Sequence, residues 1–142
     1  MRPRQRGVTL IELLTVIVVL GILASIAVPS YRNYLIRAQR TEATTALLQL
    51  QAAQEKFYLQ NNEYTDQVAA APPAGLGLMA TTERGFYDIA VALGPDNQSY
   101  TATATPVAGA GQADDTRCTG FSISDTGYRG STGPGGRDFC WR

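Results

Sequence analysis

Residues 8–28 read VTLIELLTVIVVLGILASIAV, an apolar stretch that contains one charged side chain, Glu12. About 20 apolar residues in a helix are enough to cross the hydrocarbon core of a bilayer. Arg2, Arg4 and Arg6 precede the stretch, and no acidic residue does. Positively charged flanks stay on the cytoplasmic side of a membrane. The stretch therefore predicts a single membrane span, with the rest of the chain outside the cytoplasm.

Two simpler kinds of apolar segment fit this stretch less well. A secretory signal peptide fits poorly, because the apolar run is too long and no small-residue cleavage site follows it. A plain signal anchor explains the span and leaves Glu12 unexplained. A carboxylate inside a membrane span costs roughly 3 kcal/mol and usually has a partner. From the residues alone, Glu12 is either such a paired group or an acid that reaches the nearby interface.

The residues around Glu12 resemble the cleavage and methylation motif of the type IV pilin family. Gly7 is followed by an apolar residue, a threonine, two aliphatic residues and Glu12. Most members have Phe where this chain has Val8. The resemblance implies that a prepilin peptidase cuts after Gly7 and that the new amino group of Val8 is methylated. It also implies that this amine pairs with Glu12 of a neighbouring subunit during assembly.

The resemblance to type IVa pilins continues through residues 21–43, with Gly21, Pro29, Tyr31, Tyr34 and Arg37 in matching positions. Proline removes a backbone donor and disfavours helix at the preceding residue, so we expect a kink or bend at Pro29. The resemblance implies that the stretch between Gly21 and Pro29 can lose helicity in an assembled filament.

After Pro29 the apolar residues occupy one side of a predicted helix. They follow helical spacing at Ala43, Ala46, Leu47, Leu50, Ala53 and Phe57. Charged and polar residues are assigned to its other faces: Arg40, Glu42, Gln49, Glu55 and Lys56. The helix is predicted to end near Asn61 and Asn62. A helix this long predicts that its first half protrudes from a small head and is covered by lipid or by other subunits.

The remaining chain predicts a sheet. Residues 62–84 contain Pro72-Pro73 and two glycines and lack a sustained period, which favours a loop. Strands are predicted at residues 86–93, 99–105 and 120–124, with a short fourth strand around residues 128–130. The fold class is therefore α+β: the type IV pilin fold, with a four-stranded antiparallel sheet packed on the second half of the helix.

The chain has two cysteines, Cys118 and Cys140, and both follow the predicted membrane span. In the cytosol they would be free thiols or half of a metal site, but outside it a disulfide is favoured. Such a bridge contributes about 3 kcal/mol by restricting the unfolded chain. The sequences YTATATP (residues 100–106) and FCWR (residues 139–142) look like those of PilE-type minor pilins. Trp141 is expected to pack near the disulfide.

Three functional hypotheses remain open. The first is a minor pilin that primes or joins a type IV pilus used for motility, adhesion or DNA uptake. The second is a type II secretion pseudopilin; the cysteine pair favours the pilus, since the common major pseudopilins have a calcium-binding loop there. The third is a filament-borne adhesin or DNA-binding module, for which aromatic residues and arginines are available: Tyr64, Phe86, Tyr87, Tyr100, Tyr128, Arg84, Arg117, Arg129 and Arg137. We expect half of the aromatic residues to lie in the core and the arginines to be dispersed surface charges.

Other functional classes are not supported by the sequence. The chain has no histidine and no nucleophile–base pair, so it is not expected to be an enzyme. Asp114 and Asp115 lack the calcium-ligand pattern and are expected to be solvated, so neither a metal nor another cofactor is predicted. Without residues 1–7 there are 9 basic and 12 acidic side chains, a balance that does not support nucleic acid as a partner.

The predicted organisation has five segments: a cleaved leader (1–7), an apolar membrane and assembly helix (8–28), an amphipathic helix half (29–62), a helix-to-sheet loop (63–85), and a sheet head with the disulfide region (86–142). The expected partners are the prepilin peptidase and methyltransferase, the inner-membrane pilus assembly platform, and other pilin subunits bound through the N-terminal helix. The expected location is the inner membrane, with the N-terminus cytoplasmic and the head periplasmic, and later the extracellular pilus.

Overall fold

The structure is a computed structural model that describes residues 7–142. The chain divides into two compact units, one ending at Leu35 and one formed by Ile36–Arg142. Helix α1, Leu10–Asn61, is 52 residues long and contains Pro29. It ends close to the predicted position, because Asn62 adopts a left-handed conformation with φ of 56°.

The second unit contains a four-stranded antiparallel sheet, as the sequence predicts. Its strands are β1 (Tyr87–Leu93), β2 (Tyr100–Pro106), β3 (Gly120–Ser124) and β4 (Arg129–Thr132), and they lie side by side in chain order. Ile89 pairs with Ala104, Ala102 with Ile123, and Ser122 with Gly130. Because each strand follows its neighbour, β1 and β4 are the two edges of the sheet.

The core lies between one face of this sheet and the second half of α1. The helix contributes Ala43, Leu47 and Leu50, each completely buried. Ala102 and Ala104 of β2, one of the two inner strands, are also completely buried. Tyr87, Tyr100, Phe121 and Ile123 fill the space around them. The predicted α+β fold class is confirmed.

The loop from Asn62 to β1 is fixed at both ends. The Gln54 amide of α1 donates to the Thr65 carbonyl at 2.5 Å and accepts from the Thr65 N–H at 3.2 Å. Near β1, Thr82 N–H donates to the Tyr87 carbonyl at 2.8 Å, and Ile89 N–H donates to the Ala80 carbonyl at 2.7 Å. The end of the loop therefore runs beside the outer edge of β1.

The C-terminal region is closed by the predicted disulfide. Cys118 and Cys140 are bonded at an S–S distance of 2.08 Å, and both are completely buried. Cys140 ends a short helix, α2 (Arg137–Cys140), which the sequence analysis did not predict. Gly135 N–H donates to the Arg117 carbonyl at 2.9 Å, so the glycine-rich segment before α2 lies against the chain just before Cys118.

Candidate assembly site

The proposed cleavage point lies at the start of the described chain, where Gly7 and Val8 precede α1. Gly7 has open space around its Cα, and Val8 is 69% exposed. The peptide bond between these two residues is therefore accessible. Residues 1–6 of the predicted leader lie outside the residues that the structure describes.

Glu12 takes part in the N-terminal cap of α1. The hydroxyl of Thr9, just before the helix, accepts a hydrogen bond from the Glu12 N–H at 3.3 Å. Threonine followed three residues later by glutamate is the capping-box pattern, and the sequence analysis missed it. A carboxylate in the first turn also interacts favourably with the helix dipole. The capping bond uses the backbone of Glu12, so its carboxylate stabilises the helix end through the dipole and not through this hydrogen bond.

The other polar side chains of residues 10–28 are bonded to the helix backbone. The Thr15 hydroxyl donates to the Ile11 and Glu12 carbonyls at 3.1 and 2.9 Å, and the Ser25 hydroxyl donates to the Ile22 carbonyl at 2.7 Å. Within residues 7–142, by contrast, no cation lies within ion-pairing distance of the Glu12 carboxylate. Glu12 is consequently the polar group of this stretch that needs a partner from elsewhere.

The apolar side chains around Glu12 are uncovered. Leu10, Ile11 and Ile17 are 81%, 66% and 61% exposed. The most apolar 18-residue window of α1 has a mean hydropathy of 2.7, and none of it is buried. By length and composition this part of the helix could cross a membrane. A continuous apolar surface of this size requires lipid or protein to cover it.

Gly21 and Pro29 lie inside a continuous α1. A Cβ on Gly21 would meet nothing within 4 Å, so no packing contact within the described chain requires glycine there. The kink expected at Pro29 stays a prediction. The loss of helicity between the two residues concerns the assembled filament and also stays a prediction.

A buried ion pair joins α1 to the disulfide region. Arg40 Nε and Nη2 donate to the two Asp115 carboxylate oxygens at 2.6 and 2.9 Å. Arg40 is 5% exposed and Asp115 is 4% exposed. The sequence analysis assigned Arg40 to a polar face and Asp115 to a solvated loop, and both assignments were wrong. Each charge is buried because the other neutralises it in a bidentate geometry.

Asp115 also organises the chain around the disulfide. Its carboxylate accepts from Gln112 Nε2 at 3.2 Å and from the backbone N–H groups of Arg117 and Cys118 at 3.1 Å each. The Arg40 guanidinium lies 4.8 Å from the centre of the Phe139 ring of α2. The pair therefore holds both sides of the disulfide against α1.

Helical spacing contained a signal for the burial of Arg40. The buried residues of α1 recur every three or four positions, at Arg40, Ala43, Leu47, Leu50 and Gln54. Arg40 and Gln54 are thus the polar ends of one buried row. Each can be buried because it is hydrogen-bonded, Arg40 to Asp115 and Gln54 to the backbone of Thr65.

Two buried tyrosines have hydroxyls without a hydrogen-bond partner in the described chain, Tyr87 and Tyr100. Burial raises the pKa of both phenols above the ordinary value, assisted by Asp115 at Tyr87 and by Glu55 at Tyr100. These hydroxyls are held neutral inside the core. Residues 7–142 also bring no three His, Cys, Asp or Glu side chains together in a way that could hold a metal ion.

Three arginines of the C-terminal region stack on aromatic rings. Arg117 lies 3.8 Å from the Phe139 ring centre, Arg129 lies 5.3 Å from that of Trp141, and Arg137 lies 5.9 Å from that of Tyr128. The Trp141 indole N–H donates to the Gly130 carbonyl at 2.7 Å, so Trp141 packs near the disulfide as predicted. Each of these arginines thus contacts an aromatic ring of the same region, and the expectation of dispersed charges stays a prediction.

Comparison with known proteins places the chain in a family. The family described as type IV minor pilin ComP, DNA uptake sequence receptor, matches residues 29–122, and the prokaryotic N-terminal methylation motif matches residues 2–28. This chain belongs to the type IV pilin family, within the ComP group of minor pilins. The resemblance seen in the sequence is thereby confirmed.

Individual relatives include two type IV major pilins and a type II secretion protein. The type IV major pilin PilA of Myxococcus xanthus is 37% identical over 112 residues, which is 77% of this chain and 47% of that protein. The type IV major pilin PilE1 of Neisseria gonorrhoeae is 37% identical over 87 residues, 61% of this chain and 39% of that protein. The type II secretion system core protein G of Pectobacterium carotovorum is 43% identical over 61 residues, 43% of this chain and 39% of that protein.

The alignments with these three relatives span less than half of each relative's length. Among solved structures, a type IV pilin from Shewanella oneidensis is 20% identical, with a TM-score of 0.48, over 66% of this chain and 89% of that one.

Proposed function

We propose that this type IV pilin is a minor structural subunit that waits in the inner membrane and is then assembled into a surface pilus through its N-terminal helix. The observation that carries the proposal is the uncovered apolar half of α1, whose Glu12 carboxylate has no cation partner in the described chain. Lipid covers such a surface before assembly, and neighbouring helices cover it afterwards.

Processing provides the missing partner for Glu12. Cleavage after Gly7 creates an α-amino group on Val8, and its methylation keeps the positive charge. In a filament, the amine of one subunit would lie beside the Glu12 carboxylate of the next. A charge that is unfavourable alone in an apolar environment is stabilised by an opposite charge in good geometry. The pair would also favour one register between neighbouring helices.

The proposed partners follow from this route. The prepilin peptidase and methyltransferase act on Gly7 and Val8, and the assembly platform in the inner membrane extracts the subunit. The arginines before the span keep the N-terminus cytoplasmic, so the head is periplasmic before assembly and extracellular afterwards. Nothing in this route requires catalysis by the chain.

The experiment compares the amount of this protein in sheared filaments with the amount left in membranes. Glu12→Ala and Glu12→Gln should both lower this ratio, since each removes the charge that attracts the amine. Glu63→Gln is the matched control, because it makes the same change on an exposed carboxylate of the head. An unchanged ratio for both Glu12 variants would contradict the proposed pairing.

A further variant distinguishes the effect of the Thr9 cap on α1 from the effect of the Glu12 charge. Thr9→Ala removes the cap, at a cost of about 1 kcal/mol to the helix end, and leaves the Glu12 charge in place. We expect Thr9→Ala to enter filaments better than Glu12→Gln. Equal losses for the two variants would mean that entry into filaments depends on the start of α1 and not specifically on the Glu12 charge.

A second candidate function is DNA binding, which the description of the matched family suggests. The feature of this chain that favours it is a cleft of about 480 Å³ whose lining includes Tyr128, Arg129, Arg137 and Trp141. Arginine contacts the phosphates of duplex DNA, and this contribution depends on salt. Duplex DNA titrated onto the processed chain in detergent should bind with a salt-dependent affinity, and Arg129→Ala should reduce that dependence. Binding that is equally weak in both proteins would exclude this candidate.

A type II secretion pseudopilin is the remaining alternative, and the similarity to the relative from Pectobacterium supports it. Deleting the gene distinguishes a pilus subunit from a pseudopilin. Loss or shortening of surface pili with intact protein secretion supports a pilus subunit, whereas lost secretion with normal pili supports a pseudopilin.

A further inference from the structure

An open cleft lies on α1 at the end of the apolar stretch. Its volume is about 710 Å³, and it is lined by Ala27, Val28, Ser30, Tyr31, Arg32 and Tyr34. Residues three or four positions apart lie on the same face of a helix, so Ala27, Tyr31 and Tyr34 share one face. The cleft is therefore formed by the side chains of one short segment of α1.

The two tyrosine rings of the cleft are uncovered. Tyr31 is 62% exposed and Tyr34 is 63% exposed. A tyrosine combines an apolar ring with a polar hydroxyl, and this side chain is enriched where a membrane meets water. Exposed tyrosines directly after an apolar span therefore indicate the interface of a bilayer.

The length of the apolar stretch places the cleft at the level of lipid headgroups. Residues 10–28 of α1 extend over about 28 Å at the helical rise of ~1.5 Å per residue, close to the ~30 Å of a hydrocarbon core. The Cα atom of Tyr31 lies about 5 Å beyond Val28 along the helix axis. Helical side chains lean toward the N-terminus, so the rings of Tyr31 and Tyr34 reach back toward the end of the hydrocarbon core.

The polar groups of the cleft suit an anion. Arg32 is exposed and carries a positive charge, and no carboxylate is among the described residues that line the cleft. Within residues 7–142, the Ser30 hydroxyl makes no hydrogen bond to the helix backbone, unlike the hydroxyls of Thr15 and Ser25. A guanidinium and a hydroxyl donor thus lie beside an apolar surface. A phospholipid with an anionic headgroup has the matching arrangement of a phosphate above acyl chains.

We propose that this cleft binds an anionic phospholipid in the periplasmic leaflet of the inner membrane while the subunit waits for assembly. The phosphate would lie against Arg32 and Ser30, and an acyl chain would lie along Ala27 and Val28. The inference rests on the proposed function, because it requires the apolar half of α1 to lie in a bilayer. Such a contact would fix the depth of α1 in the membrane and thereby the depth of Glu12.

A lipid suits the cleft better than the N-terminal half of a second copy does. The apolar stretch of residues 8–28 contains one charged side chain, so a neighbouring helix would bring a largely uncharged surface to Arg32. A lipid headgroup brings a phosphate, which an arginine near a membrane surface attracts. The cleft is also continuous with the apolar surface that lipid covers before assembly.

Brominated lipids test this contact, because bromine quenches tryptophan fluorescence only at close range. Tyr31→Trp places a reporter in the cleft and keeps an aromatic ring there. The processed chain is reconstituted in phosphatidylcholine vesicles that contain a minority of phosphatidylglycerol, and each lipid is brominated in turn. The unmodified chain, whose single tryptophan is Trp141 of the head, gives the background signal.

Quenching corrected for the amount of each lipid should show about fivefold stronger association of phosphatidylglycerol, the factor that corresponds to roughly 1 kcal/mol for one arginine near an anionic surface. Arg32→Gln in the reporter chain should abolish this preference, whereas Arg32→Lys should keep most of it, since lysine also attracts phosphate. Arg129→Gln is the matched control, because it makes the same change at an exposed arginine of the head. This control should leave the preference unchanged.

Several outcomes would overturn the proposal. Equal quenching by the two lipids would do so, as would a preference that survives Arg32→Gln. Quenching that disappears at high protein content and returns on dilution with lipid would show that a second copy covers the cleft. A chain that enters filaments without showing the lipid preference would refute this site and leave the proposed function intact. A chain that neither inserts into vesicles nor enters filaments would refute both.

Discussion

Replacing Asp115 with asparagine tests how strongly the buried ion pair holds the head together. The change preserves the size of the side chain and removes its charge. The asparagine amide also replaces one acceptor oxygen with a donor NH2 group. All partners of the Asp115 carboxylate are donors, namely Arg40, Gln112 and two backbone N–H groups. The new NH2 group would therefore face other donors. The Arg40 side chain, 6% exposed, would then carry an uncompensated buried charge.

The expected loss of stability is large for this reason. Removing one partner of a buried ion pair typically costs about 3–5 kcal/mol, because the other charge is left without compensation. For a head of this size, each kcal/mol lowers the melting temperature by about 4 °C or more. We therefore expect the Asp115→Asn head to melt at least about 12 °C below the unmodified head.

Near-ultraviolet circular dichroism of the processed chain in detergent is the appropriate assay, because it follows aromatic packing in the head. Asp138→Asn is the matched control: the same change at a side chain that is 81% exposed and paired with Arg137. The control should differ from the unmodified protein by less than about 1 kcal/mol. Arg40→Met combined with Asp115→Asn should recover part of the loss, since no charge then remains buried.

A loss below about 1 kcal/mol for Asp115→Asn would refute this reasoning. It would mean that Arg40 reaches water when its partner is removed. Failure of the double variant to recover stability would show instead that the contacts of Asp115 with Gln112 and with the backbone matter more than its charge.

Three further results are expected. Replacing Cys118 and Cys140 together by serine should destabilise the head by about 3 kcal/mol, measured by the same melting experiment; an unchanged melting temperature would mean that packing alone holds the tail. Above pH 10 the head should lose stability, because burial raises the folded-state pKa of Tyr87 and Tyr100 and ionisation therefore favours the unfolded chain. Tyr100→Phe should weaken this alkaline loss and be neutral or stabilising at pH 7, since the buried hydroxyl has no partner; Tyr128→Phe, at an exposed position, should change neither.

Much of the fold could be predicted because it rests on local patterns. An apolar run of 21 residues, alternation in the strands and a cysteine pair are signals that neighbouring residues carry by themselves. The helix end, four strands and disulfide follow from them. The pairing of β1 with β2 and of β3 with β4 was also accessible, because short turns separate the strands of each pair, whereas residues 107–119 separate β2 from β3.

The anchor between α1 and the disulfide region could not be predicted in the same way. Arg40 and Asp115 are 75 positions apart, and each charge alone indicates exposure. Their burial depends on a contact that forms only in the folded chain. The helical spacing of Arg40 with Ala43 and Leu47 indicated a buried position. An arginine is usually exposed, however, and the prediction followed the residue type.

The contacts of the arginines with aromatic rings were missed for a related reason. Arg117 lies against Phe139, 22 positions away, and Arg129 lies against Trp141, 12 positions away, so each contact forms only in the folded chain. The Thr9–Glu12 cap, in contrast, was readable from sequence. It was overlooked because the same residues belong to the methylation motif.

The most direct test of the proposed function is the intact mass of this chain taken from sheared surface filaments. Processing predicts a mass that lacks residues 1–7 and includes one added methyl group on the amine of Val8. A chain found in filaments with residues 1–7 still attached would contradict assembly through a processed N-terminus. A processed chain that is confined to membranes would contradict its role as a filament subunit.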